Sequence, residues 1–315
     1  MSKNFKPLVI VSGDPDSVFL ELFFKIFIRE KFKKPLILIV NREILENQMK
    51  ILNYNIKIQE IFLSSLNLHK IDNKKINFIN VPFKKNLIKY LELSFNIGLN
   101  IVNKDKNISL INGPINKTRF LNNKHLGITE YLGKKYKKQN EVVMLIYNNN
   151  LSVSPLTTHI PLKKVHLYIS KKRIINHVKK INSFYKLKFN KKPKIGLTGL
   201  NPHCESNFKS SEEKNIIIPA IKFLKSQKFR VFGPFSADTI FLKENYKKFD
   251  VIIGMYHDQV LAPIKSIFNF NAINITLGLP FLRVSPDHGP NVKMFGKNVS
   301  NPTSLREAIK FLDSK

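Results

Sequence analysis

The feature that most constrains this chain is an alternation. Short apolar runs recur along nearly its whole length, and most are followed by stretches with apolar residues at helical spacing. PLVIVSG at 7–13, KPLILIVN at 34–41, KINFINV at 75–81, ISLING at 108–113, EVVMLIY at 141–147, PKIGLTG at 193–199, DVIIGM at 250–255 and AINITLG at 272–278 read as strands. Helical periodicity places helices at about 17–32, 84–101, 129–138, 171–187, 211–227 and 303–313. A strand apolar on both sides must be covered on both faces, and helices alternating with such strands do this over a largely parallel sheet. The alternation therefore predicts an α/β fold. Acidic residues in SSEE, before NIIIPAIKFL, suit a helix N-terminus and its dipole. In such folds ligands meet the chain at the carboxyl ends of the strands, where connections diverge. That singles out HDQVLAPIK at 257–265, which follows the apolar DVIIGMY.

A chain of 315 residues can bury a substantial core, as one large domain or two closely packed ones. No apolar stretch reaches the roughly 18 uninterrupted residues of a membrane span. The opening MSKNFKPLVIVSGDP leads into a strand and loop rather than a small-residue cleavage site, so the cytoplasm is the expected location. The single cysteine, Cys204, excludes an internal disulfide and agrees with a reducing compartment. The net charge of +31, from 53 Lys+Arg against 22 Asp+Glu, raises the question of an acidic partner. The lysines, however, are spread as KK pairs among Asn, Ile and Phe, without zinc-finger, basic-heptad or aromatic RNA-binding patterns. Neither a specific nucleic acid nor a membrane is expected as partner. KKRIINHVKKINSFYKLKFNKKPK reads as a basic helix with a solvated face and an exposed turn. The twelve glycines contain no GxGxxG, so a nicotinamide cofactor would have to be held by another architecture.

Three histidines share a setting. His159 in TTHIPL, His203 in NPHCES and His257 in MYHDQ each follow a strand or its exit, and a parallel sheet can bring such positions to one crevice. Three neutral imidazoles suit a divalent cation that keeps positions open for water or substrate. His69, His125, His166 and His177 lie in basic or helical surroundings and read as structural or exposed. His288, with Gly289 in the turn SPDHGP, can meet a ligand. Lys265, Asn274 and Arg283 cluster in sequence after His257. A Lys and an Arg converging on one pocket suit phosphate or carboxylate groups, the Arg through its planar fork. GPINK at 113–117 is a strand exit, and GITEYL at 127–132 opens a helix whose first amides, with the Thr129 hydroxyl, can hold an anion.

Taken in order, GPINK, GITEYL, TTHIPL, GLNPHCE, GPFSADTIF, MYHDQ with Lys265, NITLGLPFLR and SPDHG resemble the 4-hydroxythreonine-4-phosphate dehydrogenase family of pyridoxal phosphate biosynthesis. The resemblance runs from GDP at 13–15 to the last helix. MYHDQ followed by NITLGLPFLR is its specific part, whereas GDP or GPINK alone would say little. It implies an α/β fold like that of the isocitrate and isopropylmalate dehydrogenases: a single unit over 1–315 made of two closely packed subdomains with a cleft, the terminal segments sharing one. It implies a homodimer with the active site at the interface. His159, His203 and His257 would bind a divalent metal ion (zinc, magnesium, cobalt or manganese), one of them coming from the partner subunit. Thr129, Lys265, Asn274 and Arg283 would contact substrate, and His288 and Gly289 would lie on the cofactor side.

The implied chemistry is NAD- or NADP-dependent oxidation of the secondary hydroxyl of 4-phosphooxy-threonine, then loss of carbon dioxide to give 3-amino-2-oxopropyl phosphate. Asp258 and Lys265 are candidates by position for the general base. Three departures stand out. Ile128 replaces the histidine of the family's GHTE, DSVFLE replaces a glycine-rich opening after GDP, and PNVKMFGK replaces a small-residue loop after SPDHG. Two alternatives stay open: a related dehydrogenase for another phosphorylated hydroxy acid, such as a four-carbon sugar-acid phosphate, and a basic non-catalytic binding protein.

Overall fold

The computed structural model describes residues 6–63, 71–116, 120, 127–137, 141–204, 211–269 and 271–314. Lys117, His69 and His125 lie outside the described residues. Along the chain run β1 (Leu8–Val11), α1 (Phe19–Phe27), β2 (Leu36–Val40), α2 (Arg42–Ile51), β3 (Ile58–Glu60), β4 (Ile76–Asn80), α3 (Leu87–Val102) and β5 (Ser109–Asn112). Next come α4 (Ile128–Lys135), β6 (Val143–Tyr147), β7 (Ser152–Pro155), α5 (Lys171–Phe189), β8 (Ile195–Thr198), α6 (Ile218–Ser226) and β9 (Val231–Phe235). The last are α7 (Lys243–Tyr246), β10 (Val251–Gly254), α8 (His257–Phe268), β11 (Ile273–Leu277), β12 (Arg283–Pro286) and α9 (Thr303–Asp313). They form two compact units, one of Met1–His125 with Pro280–Lys315 and one of Leu126–Leu279.

In the first unit the strands lie in the order β3-β4-β2-β1-β5-β12, every pair parallel. Every residue of β1 and β2 is buried, as expected for strands covered on both faces. Gly98 lets α3 lie close on the sheet, since a Cβ there would come within 3.0 Å of Val11 Cγ2 and 3.3 Å of Ile39 Cδ1. The Asn41 side chain accepts the Ile44 N–H at 3.1 Å, and the Asn86 side chain accepts that of Lys89 at 3.0 Å, capping α2 and α3. After β1 the chain turns at Gly13, whose φ of +81° favours glycine and whose Cβ would sit 2.4 Å from the Pro114 carbonyl. The Asp14 N–H donates to that carbonyl at 2.9 Å, and Asp14 Oδ2 accepts the Asn116 N–H at 3.3 Å. The exits of β1 and β5 are thereby tied together.

In the second unit the order is β11-β6-β7-β10-β8-β9. β7, β10, β8 and β9 are parallel neighbours, whereas β6 runs antiparallel to both β7 and β11. This half is more mixed than the alternation predicts, because residues 148–151 alone join β6 to β7 and a parallel crossover needs a dozen or so. β7 reads SVSP and carries no apolar signal. Its buried serines are satisfied by α5: Tyr185 Oη donates to Ser152 Oγ at 2.9 Å, and Ser154 Oγ lies 2.7 Å from His177 Nε2. His177 is thus a core histidine, with burial first and then the charges of Arg173 and Lys180 pushing its pKa down to about 3. Among the described residues no helix is long and apolar enough to cross a membrane.

Candidate active site

DVIIGM leaves β10 directly into α8, so HDQVLAPIK is a helix rather than a loop, with His257 and Asp258 in its first turn. Gln259 fixes this start. It is buried, its Oε1 accepts the Met255 N–H at 2.6 Å and the Thr198 hydroxyl at 2.7 Å, and its Nε2 donates to the Gly199 carbonyl at 2.8 Å. The exits of β8 and β10, which carry His203 and His257, are therefore joined through one amide.

His159, at the end of the segment following β7, faces His257, with ring centroids 5.4 Å apart and planes tilted by 40°. Each imidazole meets a carboxylate through Nδ1: His159 lies 3.4 Å from Glu130 Oε1, and His257 lies 2.6 Å from Asp258 Oδ1. A carboxylate on Nδ1 orients the ring, which is how histidine ligands are commonly supported. Glu130 is itself positioned by Thr158, whose hydroxyl donates to Oε1 at 2.7 Å. Burial raises the Glu130 pKa, but hydrogen bonds from His159 and Thr158 and the His159 charge more than offset this, holding it at about 2. Its Oε2 is buried without a hydrogen-bond partner. Gly127 makes the space, since a Cβ there would fall 2.7 Å from Glu130 Oε2 and 3.2 Å from His159 Cε1.

His203 stands apart from this pair. It sits in a left-handed conformation after β8, its side chain is 75% exposed, and its Nδ1 lies 3.8 Å from Asp238 Oδ2. Among the described residues, no group of three or more His, Cys, Asp and Glu side chains is gathered as a metal site. Thr129 is buried on α4, its Oγ1 3.4 Å from Thr276 Oγ1 on β11. Asn274 is half-buried on β11, and its Oδ1 is buried without a hydrogen-bond partner. Lys265 is exposed near the far end of α8, about 12 Å along the helix axis from His257 by the rise per residue.

Arg283 and His288 belong to the first unit. Arg283 opens β12, is buried, and donates through Nε to Asn112 Oδ1 at 2.7 Å. His288 Nδ1 donates to the Gly289 carbonyl at 2.9 Å while Nε2 is buried without a partner, and burial holds the ring's pKa below its ordinary value. Gly289 is exposed, and a Cβ there would meet nothing.

The alternation of elements did not reveal Glu130, Thr158, Gln259 or Glu213. The nearest signals are the E of GITEYL, the second threonine of TTHIPL and the Q of HDQ. In the sequence Glu213 reads as part of a helix N-terminus. Its carboxylate instead accepts the backbone N–H groups of Leu200 and Asn201.

Two units with parallel strands at their centres and polar side chains at the strand exits define an α/β fold like that of the isocitrate dehydrogenases. A solved isocitrate dehydrogenase from Methylococcus capsulatus is similar in fold, with a TM-score of 0.55 at 9% identity, covering 98% of this chain and 85% of that one. The chain belongs to the family described as pyridoxal phosphate biosynthetic protein PdxA, whose model matches residues 31–312. A 4-hydroxythreonine-4-phosphate dehydrogenase from Sulfurihydrogenibium sp. is 35% identical over 322 residues, covering 96% of each chain. One from Pseudoalteromonas translucida is 30% identical, covering 98% of each. The crystal structure of a 4-hydroxythreonine-4-phosphate dehydrogenase from Burkholderia phymatum superposes with a TM-score of 0.77 at 26% identity and 98% coverage of both chains. The protein is therefore a dehydrogenase, an oxidoreductase of pyridoxal phosphate biosynthesis, and the non-catalytic reading falls away.

Proposed function

We propose that this chain oxidises the secondary hydroxyl of 4-phosphooxy-threonine with NAD or NADP as hydride acceptor, and that the resulting β-keto acid loses its carboxylate as carbon dioxide. The names of its relatives support the substrate, and the facing pair His159 and His257 is the observation that carries the mechanism. Each ring has its Nδ1 against a carboxylate, the usual support of a histidine ligand, and paired imidazoles suit a divalent transition metal such as zinc or cobalt better than manganese or magnesium. Such an ion supplies Lewis acidity that eases removal of the hydroxyl proton. His203 is the third ligand in this reading, contributed across a homodimer interface.

Around the reacting carbon the chain binds and orients. Thr129 and Asn274 take polar groups of the substrate, and the unspent Asn274 Oδ1 accepts from an ammonium or hydroxyl. Lys265 and Arg283 hold its anionic groups. Asp258 orients His257 through Nδ1, and Lys265, protonated where it holds an anion, serves as the anion contact rather than as the proton acceptor. The nicotinamide nucleotide accepts the hydride, and the turn of His288 and Gly289 suits it, with one buried nitrogen unspent and open space over the glycine.

Ile128, apolar and buried beside Thr129, keeps a second reading in view, a dehydrogenase for another phosphorylated hydroxy acid such as a four-carbon sugar-acid phosphate. The test is NAD and NADP reduction by the purified protein with zinc, cobalt, manganese or magnesium and a panel of phosphorylated hydroxy acids, following carbon dioxide release. Turnover with 4-phosphooxy-threonine, coupled to carbon dioxide, is expected. Turnover only with a sugar-acid phosphate would replace the first reading by the second.

A further inference from the structure

The loop leaving β8 is held in a conformation that its residues rarely choose. His203 and Cys204 are both left-handed, with φ of 56° and 57°, a region uncommon for residues other than glycine, in which Asn, Asp and His are the better-tolerated exceptions and a cysteine such as Cys204 is out of the ordinary. Such residues persist where surrounding contacts over-determine the backbone. Glu213 supplies those contacts. Its Oε1 accepts the N–H of Leu200 at 2.7 Å and of Asn201 at 2.9 Å, while its Oε2 accepts Asn201 Nδ2 at 2.9 Å and Ser211 Oγ at 2.8 Å. The Asn201 carbonyl in turn accepts the Cys204 N–H at 3.1 Å, closing the turn with His203 inside it. Gly199 is required for this closure, because a Cβ there would lie 2.8 Å from Cys204 Sγ and 3.0 Å from Glu213 Oε1. With Gln259 on the Gly199 carbonyl, successive residues 199–201 are pinned, and the His203 ring projects outward.

We propose that Glu213 is a positioning residue that fixes the backbone of residues 200–204 so that His203 presents its imidazole to a metal ion. A helix-capping role would not require the carboxylate to be only 1% exposed, whereas a buried carboxylate is tolerable when its lone pairs are used in this way. Burial raises its pKa, but the hydrogen bonds from Asn201 and Ser211 prevail and hold it at about 2, so it is anionic throughout the working range. The proposal rests on the metal reading given above.

Zinc titration calorimetry on the wild type, His203→Ala, Glu213→Ala and Glu213→Gln, together with amide exchange at Leu200 and Asn201 without metal, separates the possibilities. We expect Glu213→Ala to weaken zinc binding about 10- to 100-fold and to speed exchange at both amides. Glu213→Gln keeps an acceptor for the two N–H groups but sets a donor against Asn201 Nδ2, which retains Glu212 Oε2 at 2.9 Å, so a smaller loss of about threefold is expected, with faster exchange at Asn201. If the wild type binds no zinc, or His203→Ala binds it as tightly, the metal reading is wrong. If both of those controls behave as expected but a folded Glu213→Ala binds zinc like the wild type, the positioning role is wrong. Should Glu213→Ala not fold, wild-type affinity and exchange in Glu213→Gln would overturn the role equally.

Discussion

Replacing Gly127 by alanine tests the Glu130–His159 pair without touching either. The backbone at Gly127 is extended, with φ of −172° and ψ of 177°, so alanine adopts it without strain. The added Cβ would lie 2.7 Å from Glu130 Oε2 and 3.2 and 3.3 Å from His159 Cε1 and Nδ1. To reach ordinary van der Waals distance the carboxylate must withdraw by roughly 1 Å, which stretches the 2.7 Å bond from Thr158 and the longer one from His159. A hydrogen bond to a charged group contributes about 1.5–3 kcal/mol, and the carboxylate can recover part of it by rotating, so a stability loss of roughly 1–3 kcal/mol is expected. Zinc affinity should fall about 10- to 100-fold as His159 loses its support. A separate cost of alanine at a helix N-cap, up to about 1 kcal/mol, is independent of Glu130. Urea unfolding of Gly127→Ala, Glu130→Ala and the double variant isolates the coupled part. If the Cβ acts through the carboxylate, it should cost little more than the N-cap term once Glu130 is gone, giving a coupling of roughly 1–2 kcal/mol. Additive losses would refute the argument, because the Cβ would then be acting somewhere other than on Glu130.

His159→Ala and His257→Ala should each abolish turnover while leaving the fold intact, and full activity after chelation and metal removal would rule the metal out. Arg283→Lys keeps the charge but loses the fork; at about 1.5–3 kcal/mol for the contact, kcat/KM for the phosphorylated substrate should fall roughly 10- to 150-fold in Arg283→Ala and less in Arg283→Lys. An equal loss on an unphosphorylated analogue would assign Arg283 to the carboxylate or to the structure held through Asn112. For His177 the folded pKa of about 3 lies below the ordinary 6.5, so between these values the unfolded chain binds the extra proton. Its contribution is present above pH 6.5 and is lost as pH falls toward 3. His177→Gln, which cannot take up that proton, should flatten the fall in unfolding free energy over that window, and an unchanged acid limb would show that His177 does not cause it.

The parts of the fold that were legible are those where burial alone decides. LVIV and LILIV of β1 and β2 could be read as strands because both faces are covered, and α3, α5 and α9 were read within a few residues of their ends. β7 was not legible, because its serines are buried by pairing with His177 and Tyr185 rather than by being apolar. α8 was hidden by polar residues at its start and by Pro263 within it. At the site, His159 and His257 could be picked out by residue type, but Gln259 and Glu213 could not, since their partners are backbone groups many residues away.

The unspent atoms of the site follow a physical rule that sequence pattern does not express. A buried acceptor or donor left without a partner is costly, and folding alone would select against it. Gln259 and Glu213 avoid the cost by using every oxygen on the protein itself, which suits residues that shape the backbone. Asn274 does not: its Oδ1 is buried without a hydrogen-bond partner in the midst of a regular strand. Two residues on, Thr276 emerges on the same face of β11 by the period of a strand, and its hydroxyl reaches Thr129 on α4 at 3.4 Å. Asn274, Thr276 and Thr129 thus make one polar surface in the second unit, of which residue type alone had suggested only the first and the last. Such a surface, with one acceptor unspent, is what a site for a small polar molecule requires, because the ligand's donor supplies the missing bond only when it is bound.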